Sequence, residues 1–261
     1  MNIEVFGGGE RCRAASRVLS AVDFSDAPYI EDIKILPIPS TKDGERITGT
    51  EIQISDLLDK LSYGSFVIGY GIPKEIKSRI EEVCVGYYDG AEDEEFLVEN
   101  AYITAVGTLS YLLSSSKKIV RDSSFGVVGY GRIGSALSRL LLFLGAKLRI
   151  FSSKPLTRIE LGAFGIESSE IKLGGFDFSD LSGIDFLINT APCNLSRAFP
   201  DKRVPEGMRV LDLASGDSFP GVVGVEYLPS LPGRLYPESA GEAYAKFAAR
   251  AILADVNADG I

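Results

Sequence analysis

Histidine is absent from all 261 residues. That removes the side chain that most often serves as a general base near neutral pH and most often ligates metals, so chemistry carried by this chain has to run through other groups. Cysteine is nearly as scarce. Cys12, Cys84 and Cys193 lie far apart and form no Cys-x-x-Cys pair, which leaves metal binding and dithiol chemistry without support and reads best as core thiols in a reducing compartment. Positive charge is also in deficit, with 27 Lys and Arg against 36 Asp and Glu, a net charge of −9. Nucleic acid and anionic membranes are recognised by clustered cations, so neither is an expected partner, and any anionic ligand must be bound locally. No unbroken apolar run approaches the roughly 18 residues of a membrane span; the densest is Leu140-Leu141-Leu142-Phe143-Leu144. The start, Met1-Asn2-Ile3-Glu4-Val5-Phe6, reads as a strand and lacks the basic start and cleavage site of a secretory signal, so a cytoplasmic location is expected.

What the chain does have is a strand–helix rhythm. Its length fits two modest domains. Short apolar runs at Ile3–Phe6, Ile33–Leu36, Ser65–Gly69 and Val83–Tyr87 alternate with polar, helix-compatible stretches. This predicts a small parallel α/β domain over residues 1–98, of flavodoxin- or Rossmann-like type. Two of its strand ends lead into turn-rich loops, Phe6-Gly7-Gly8-Gly9-Glu10 and Pro37-Ile38-Pro39-Ser40-Thr41-Lys42-Asp43-Gly44. Ligands of open parallel sheets sit beyond such carboxyl ends. Residues 99–117 read as a connecting helix, entered from the acidic, solvated stretch Glu92-Asp93-Glu94-Glu95 and bent or hinged near Gly107.

Residues 118–235 read as a Rossmann domain with a doubly wound parallel sheet. Strands are expected at Ser124–Val128, Lys147–Phe151, Asp185–Asn189 and Met208–Leu213, with Gly145 capping a helix over Ser135–Leu144 and Pro155 opening another. Residues 236–261 form an Ala-rich helix predicted to return to the first domain. The motif that carries function is Gly129-Tyr130-Gly131-Arg132-Ile133-Gly134. A Gly-x-Gly-x-x-Gly run alone is weak evidence in a chain with 28 glycines. Here it follows a strand and opens a helix, where the first glycine makes the turn, the second admits a pyrophosphate and the third lets helix pack on sheet. The helix N-terminus offers N–H groups to the phosphates. At the end of the next strand, where an acidic residue would accept from an NAD ribose, stand Ser152, Ser153 and Lys154, with Arg158 one turn on. Hydroxyls and cations favour NADP over NAD, although Lys154 and Arg158 also fit a plain solvated surface. Thr190, Ala191 and Pro192 follow the strand Asp185–Asn189, and Ala214 follows the strand Met208–Leu213, both places where small residues pass beside a nicotinamide ribose.

These pieces together resemble the A component of bacterial dipicolinate synthase and, more distantly, the D-2-hydroxyacid and alanine dehydrogenases. The resemblance is carried by Ile35–Ser40, by Asn100, Thr104 and Gly107-Thr108, by the glycine turn, by Ile188–Pro192 and Leu211–Ser215, and by Leu231-Pro232-Gly233 with Pro237 and Ala240-Gly241. It implies an NAD(P)-dependent oxidoreductase that forms dipicolinate, a spore metabolite, from a cyclic lysine-pathway intermediate. It further implies a homodimer and a separate flavoprotein-like B subunit. Two positions depart from the family pattern. Val106 stands where the linker motif carries a glutamate, and Glu238 stands where a cation would suit a dianion.

For the small dicarboxylate substrate, Ser40, Thr41, Lys42, Thr104, Ser215 and Arg234 are the candidate contacts, as hydroxyls and cations near strand ends. No catalytic acid or base is singled out: Lys42, Glu238, Tyr102, Tyr236 and water all remain. A dehydrogenase of another small carboxylate is the alternative among enzymes, and a non-catalytic NAD(P)-binding subunit is the alternative outside them. No metal site is expected.

Overall fold

The structure is a computed structural model, and it describes residues 2–25, 30–84, 86–172 and 175–258. It contains two units, one formed by residues 1–100 and 232–261, the other by residues 101–231. Both are built on parallel sheets with intervening helices, an α/β Rossmann-like fold.

In the first unit β1 (Asn2–Val5), β2 (Asp32–Ile35), β3 (Ser65–Gly69) and β4 (Gly86–Asp89) pair in chain order. Between them run α1 (Glu10–Leu19), α2 (Ile54–Leu58) and α3 (Lys74–Val83), and α4 (Glu94–Ser115) leads out. The apolar run expected as the fourth strand is split. Val83 ends α3 and the strand begins at Gly86, because a short apolar run cannot by itself distinguish the end of a buried helix from a strand. α4 also differs from expectation. It starts within the acidic stretch, where Asp93 caps it by accepting from the Phe96 N–H at 2.7 Å, and Glu94 and Glu95 complement the positive end of the helix. It then runs without interruption through Gly107, with the Thr108 hydroxyl satisfied on the Thr104 carbonyl at 2.9 Å. By length and composition α4 is long and apolar enough to cross a bilayer, although 44% of its most apolar stretch is buried within the protein. The absence of an unbroken apolar run is therefore a weaker exclusion than the sequence made it.

The second unit begins its sheet with β5 (Ser124–Val128), followed by α5 (Arg132–Phe143), β6 (Lys147–Ser152), α6 (Pro155–Ala163), β7 (Glu167–Glu170), β8 (Phe186–Asn189), β9 (Arg209–Asp212) and β10 (Val225–Tyr227). All pairs are parallel and the spatial order is β7-β6-β5-β8-β9-β10, the doubly wound order that reverses between β5 and β8. Alternate residues feed two cores. Val127, Ile150, Ile188 and Leu211 face one, while Val128, Phe151, Leu187 and Val210 face the other. A parallel sheet covered on both sides demands this, which is why its central strands are continuous apolar runs.

The chain closes with α7 (Leu231–Leu235) and α8 (Pro237–Ala258). α8 lies against α1 within the first unit. A Cβ at Gly241 would fall 2.5 Å from the Ala14 side chain and 2.6 Å from the Arg11 carbonyl, so only glycine permits this approach. Phe96, Tyr244 and Phe247 pack together with ring centroids 5.5–6.0 Å apart, a geometry that adds to area burial.

Candidate dinucleotide site

β5 ends at Gly129 because that residue takes φ +89°, a conformation that side chains rarely adopt. A Cβ there would also meet Thr190 Oγ1 at 2.9 Å. Gly134 is held by closer packing still: a Cβ would sit 2.2 Å from the Gly129 carbonyl oxygen. Gly131 is the opposite case. It caps α5 with extended backbone, and a Cβ there would meet nothing within 4 Å. First and third glycines are thus demanded by the fold, and the second is not. Space left open beside the first turn of a helix, whose leading N–H groups have no partner within the helix, is what a pyrophosphate requires.

A cavity of about 680 Å³ opens at this turn. It lies at the carboxyl ends of β5, β6 and β8, beside the point where strand order reverses. Of the residues singled out by sequence, it is lined by Gly129, Tyr130, Gly131, Ser152, Ser153, Lys154, Thr190, Ala191 and Pro192. Thr157, Ile171, Lys172, Gly175, Cys193 and Asn194 also line it. Among the described lining residues none is acidic and two are lysines. A dinucleotide with an additional phosphate fits that charge pattern.

Other predicted cofactor residues lie outside the lining. Arg158 turns away, donating to the Ser152 carbonyl at 2.8 Å and pairing with Glu170 at 3.4 Å. Its charge is partly neutralised, and Lys172 supplies the second cation in its place. Ala214 lies after β9, where its N–H donates to Asp212 Oδ1 at 3.1 Å. Arg132 and Ile133 form the first turn of α5.

Beside the cavity, the Thr190 hydroxyl donates to the Val128 carbonyl at 2.9 Å and so ties the loop after β8 to the end of β5. Asn189 fixes the same loop twice over, accepting from the Ala191 N–H at 3.1 Å and donating to the Ala191 carbonyl at 3.0 Å. Cys193 is half-buried rather than a core thiol, and burial, with Asp212 nearby, pushes it above its ordinary range. Cys12 and Cys84 are half-buried too, and burial pushes the Cys84 thiol up to about 11.

The candidate substrate contacts are divided between the units. Ser40, Thr41, Lys42 and Arg234 belong to the first, Thr104 and Ser215 to the second. Ser40 and Thr41 are both buried and both serve the fold. Ser40 Oγ accepts from the Tyr70 N–H at 2.7 Å, and Thr41 Oγ1 accepts from the Gly44 N–H at 2.9 Å while facing Asp43. Lys42, Ser215 and Arg234 are exposed and Thr104 is buried. Of the candidate proton acceptors, Glu238 is paired with Arg17 on the surface and Tyr102 is exposed.

No protein-family model matches this chain, and no curated protein does. Solved structures do. The A component of dipicolinate synthase from Bacillus halodurans superposes with a TM-score of 0.76 at 19% identity, covering 96% of this chain and 97% of that one. Its counterpart from Bacillus subtilis gives 0.77 at 19% identity, covering 99% and 97%. A D-isomer specific 2-hydroxyacid dehydrogenase from Lactobacillus delbrueckii ssp. bulgaricus, in an NAD-complexed form, gives 0.51 at 10% identity, covering 99% and 97%. At these identities the likeness is one of fold, and it extends over nearly the whole chain.

Proposed function

We propose that this chain is an NAD(P)-dependent oxidoreductase of the type found in the A component of dipicolinate synthase, which uses NADP and oxidises a dihydro- or hydroxytetrahydro-dipicolinate to dipicolinate. One observation carries the cofactor half of this reading: Gly129 and Gly134 are sterically obligatory while Gly131 faces open space at the start of α5. That division of roles is the one a bound pyrophosphate needs. Ser152, Ser153, Lys154 and Lys172, with no acidic neighbour among the described lining residues, support NADP over NAD. The whole-length likeness to two dipicolinate synthase structures supports the family.

Bound nicotinamide would supply the acceptor for a hydride leaving the substrate ring carbon. Loss of that hydride and of one ring proton from a dihydropyridine dicarboxylate, preceded by loss of water where the substrate is the hydroxylated tetrahydropyridine, yields the aromatic ring, and aromatisation supplies the driving force. The protein's task is then chiefly to position the ring and hold its carboxylates. The loop Thr190-Ala191-Pro192, pinned by Asn189 and by its bond to Val128, is the part of the lining that would hold a nicotinamide ribose.

Titration with NADPH and NADH, followed by the fluorescence of the reduced nicotinamide, tests this reading, with Gly131→Asp as the control. Expected are tighter NADPH than NADH binding and loss of both in the variant. Failure of the wild-type protein to bind either nucleotide overturns it. The reading extends to a homodimer and to a flavoprotein-like B subunit. Turnover of the dihydropyridine substrate, measured in the presence and absence of that partner, separates it from a cofactor-binding scaffold, which binds NADPH and transfers no hydride under either condition.

A further inference from the structure

Among the described residues of the first unit, buried and half-buried cations pair with carboxylates, with one exception. The buried Lys34 lies between Glu4 at 2.7 Å and Asp32 at 2.8 Å, and Arg250 pairs with Asp93 and Glu95, each at 2.7 Å. Arg11, in the first turn of α1, has no such partner. Its Nη2 donates to the neutral Asn100 side chain at 3.2 Å, its guanidinium lies 6.0 Å from the centre of the Tyr244 ring, and its Nε is fully buried with no hydrogen bond among the described residues. Burying a charge without a counter-charge is costly, and an unmade hydrogen bond adds to that cost. Burial also pulls the guanidinium below its ordinary ionisation range, against the smaller opposing influences of Tyr244, Cys12 and Tyr70.

The surroundings place this charge where a ligand is expected. Arg11 follows the loop at the carboxyl end of β1, in which Gly7 holds φ +97° and Gly8 and Gly9 would leave any Cβ in open space. Tyr244, beside it, donates to the Leu36 carbonyl just past β2 at 2.8 Å. The guanidinium thus stands beside the ends of two neighbouring strands, on a residue with partial solvent exposure.

We propose that Arg11 is an anion-recognition residue of the first unit that takes a carboxylate group of a small organic acid, the ligand supplying the counter-charge that the fold withholds. Guanidinium and carboxylate match as two forks, which gives direction as well as attraction. The inference rests on the proposed oxidoreductase reading for the identity of the acid as substrate, but the site itself depends only on the first unit.

The test is calorimetric titration of the full chain with dipicolinate, using Arg11→Met to remove the charge at similar length and Arg11→Lys to keep the charge without the fork, with sulfate as competitor. Expected is a loss of about tenfold or more in dipicolinate affinity in Arg11→Met, a smaller loss in Arg11→Lys, and unchanged NADPH affinity in both. The thermal midpoint without ligand separates recognition from packing. Relieved of a buried, uncompensated charge, Arg11→Met should unfold at the same temperature as the wild type or higher, and should lose the upward shift that dipicolinate produces. Dipicolinate binding that is unchanged in Arg11→Met overturns the proposal, as does a wild-type protein that takes up no dipicolinate, whether or not NADPH binds. An unliganded midpoint that falls in Arg11→Met also overturns it, assigning Arg11 to the fold. Sulfate displacing dipicolinate at equal concentration overturns the carboxylate assignment in favour of a general anion site.

Discussion

Asn189 donates from Nδ2 to Oδ1 of Asp212 at 2.8 Å, and both residues are buried. The pair joins the carboxyl ends of β8 and β9, the two strands on one side of the reversal point. From there each residue reaches into its own loop, Asn189 to both backbone groups of Ala191 and Asp212 to the Ala214 N–H. Oδ2 of Asp212 has no hydrogen-bond partner among the described residues, so this carboxylate depends heavily on the bonds it does make.

Replacing Asn189 with Ala is therefore expected to cost about 2–3 kcal/mol, since it strips a buried acceptor of one partner and releases the loop that walls the cavity. Asp212→Asn keeps an acceptor and removes the buried charge, and should cost less. Urea unfolding checks both energies, and NADPH titration should find the affinity lowered more by Asn189→Ala than by Asp212→Asn.

The three glycines of the turn should separate into two behaviours. Gly134→Ala drives a methyl group into the Gly129 carbonyl and should destabilise the protein by about 3 kcal/mol. Gly131→Ala meets open space and should cost under about 1 kcal/mol, while lowering affinity for either nucleotide. If both variants fold equally well, the steric reading of the turn is wrong.

Much of this was legible because the constraints are local. Gly129, Gly131 and Gly134 announce a turn whose backbone demands can be stated residue by residue, and Val127-Val128 or Leu187-Ile188 announce strands covered on both faces. β7 escaped notice for the opposite reason. Glu167-Ser168-Ser169-Glu170 is an edge strand without an apolar residue, and Lys172 and Gly175, which follow it into the cavity lining, were missed with it. Ser40 and Thr41 show a different limit: a hydroxyl in a loop reads alike whether it awaits a ligand or closes a turn, and here both satisfy backbone N–H groups. Arg11 was invisible because its burial comes from α8, more than two hundred residues along the chain, and a lone arginine at a helix start carries no sign of that.

Cofactor preference should follow Lys154 and Lys172 rather than Arg158. The two lysines line the cavity and Arg158 does not. Lys154→Ala and Lys172→Ala should each weaken NADPH by about tenfold, the scale of one charge-assisted hydrogen bond, and leave NADH nearly untouched. Arg158→Ala should change neither affinity by that much. Parallel titrations at low and moderate salt check the assignment, because the selective loss should shrink as salt rises.

Stability should fall in acid through Glu226. Arg209 grips this carboxylate with two hydrogen bonds of 2.7 Å, and the Tyr111 hydroxyl donates a third at 2.6 Å. Arg209 first, and Tyr111 less strongly, hold the group below its ordinary value of 4.5, against the opposing effect of burial. The folded protein therefore binds the proton less readily than the unfolded chain does. The resulting stabilisation is present above the unfolded value of 4.5 and is lost as pH falls through the lower folded value. Partial exposure screens the pair and keeps its contribution modest, but its position gives it consequence: it ties edge strand β10 to β9 and, through Tyr111, to α4. Glu226→Gln should lower stability at neutral pH and flatten the decline between about pH 5 and pH 3 relative to the wild type, the range that a depressed carboxylate spans. Thermal midpoints across that range decide it. Parallel curves for the two proteins would mean that other carboxylates, such as Asp185 held by Ser124 and Lys118, carry the acid limb instead.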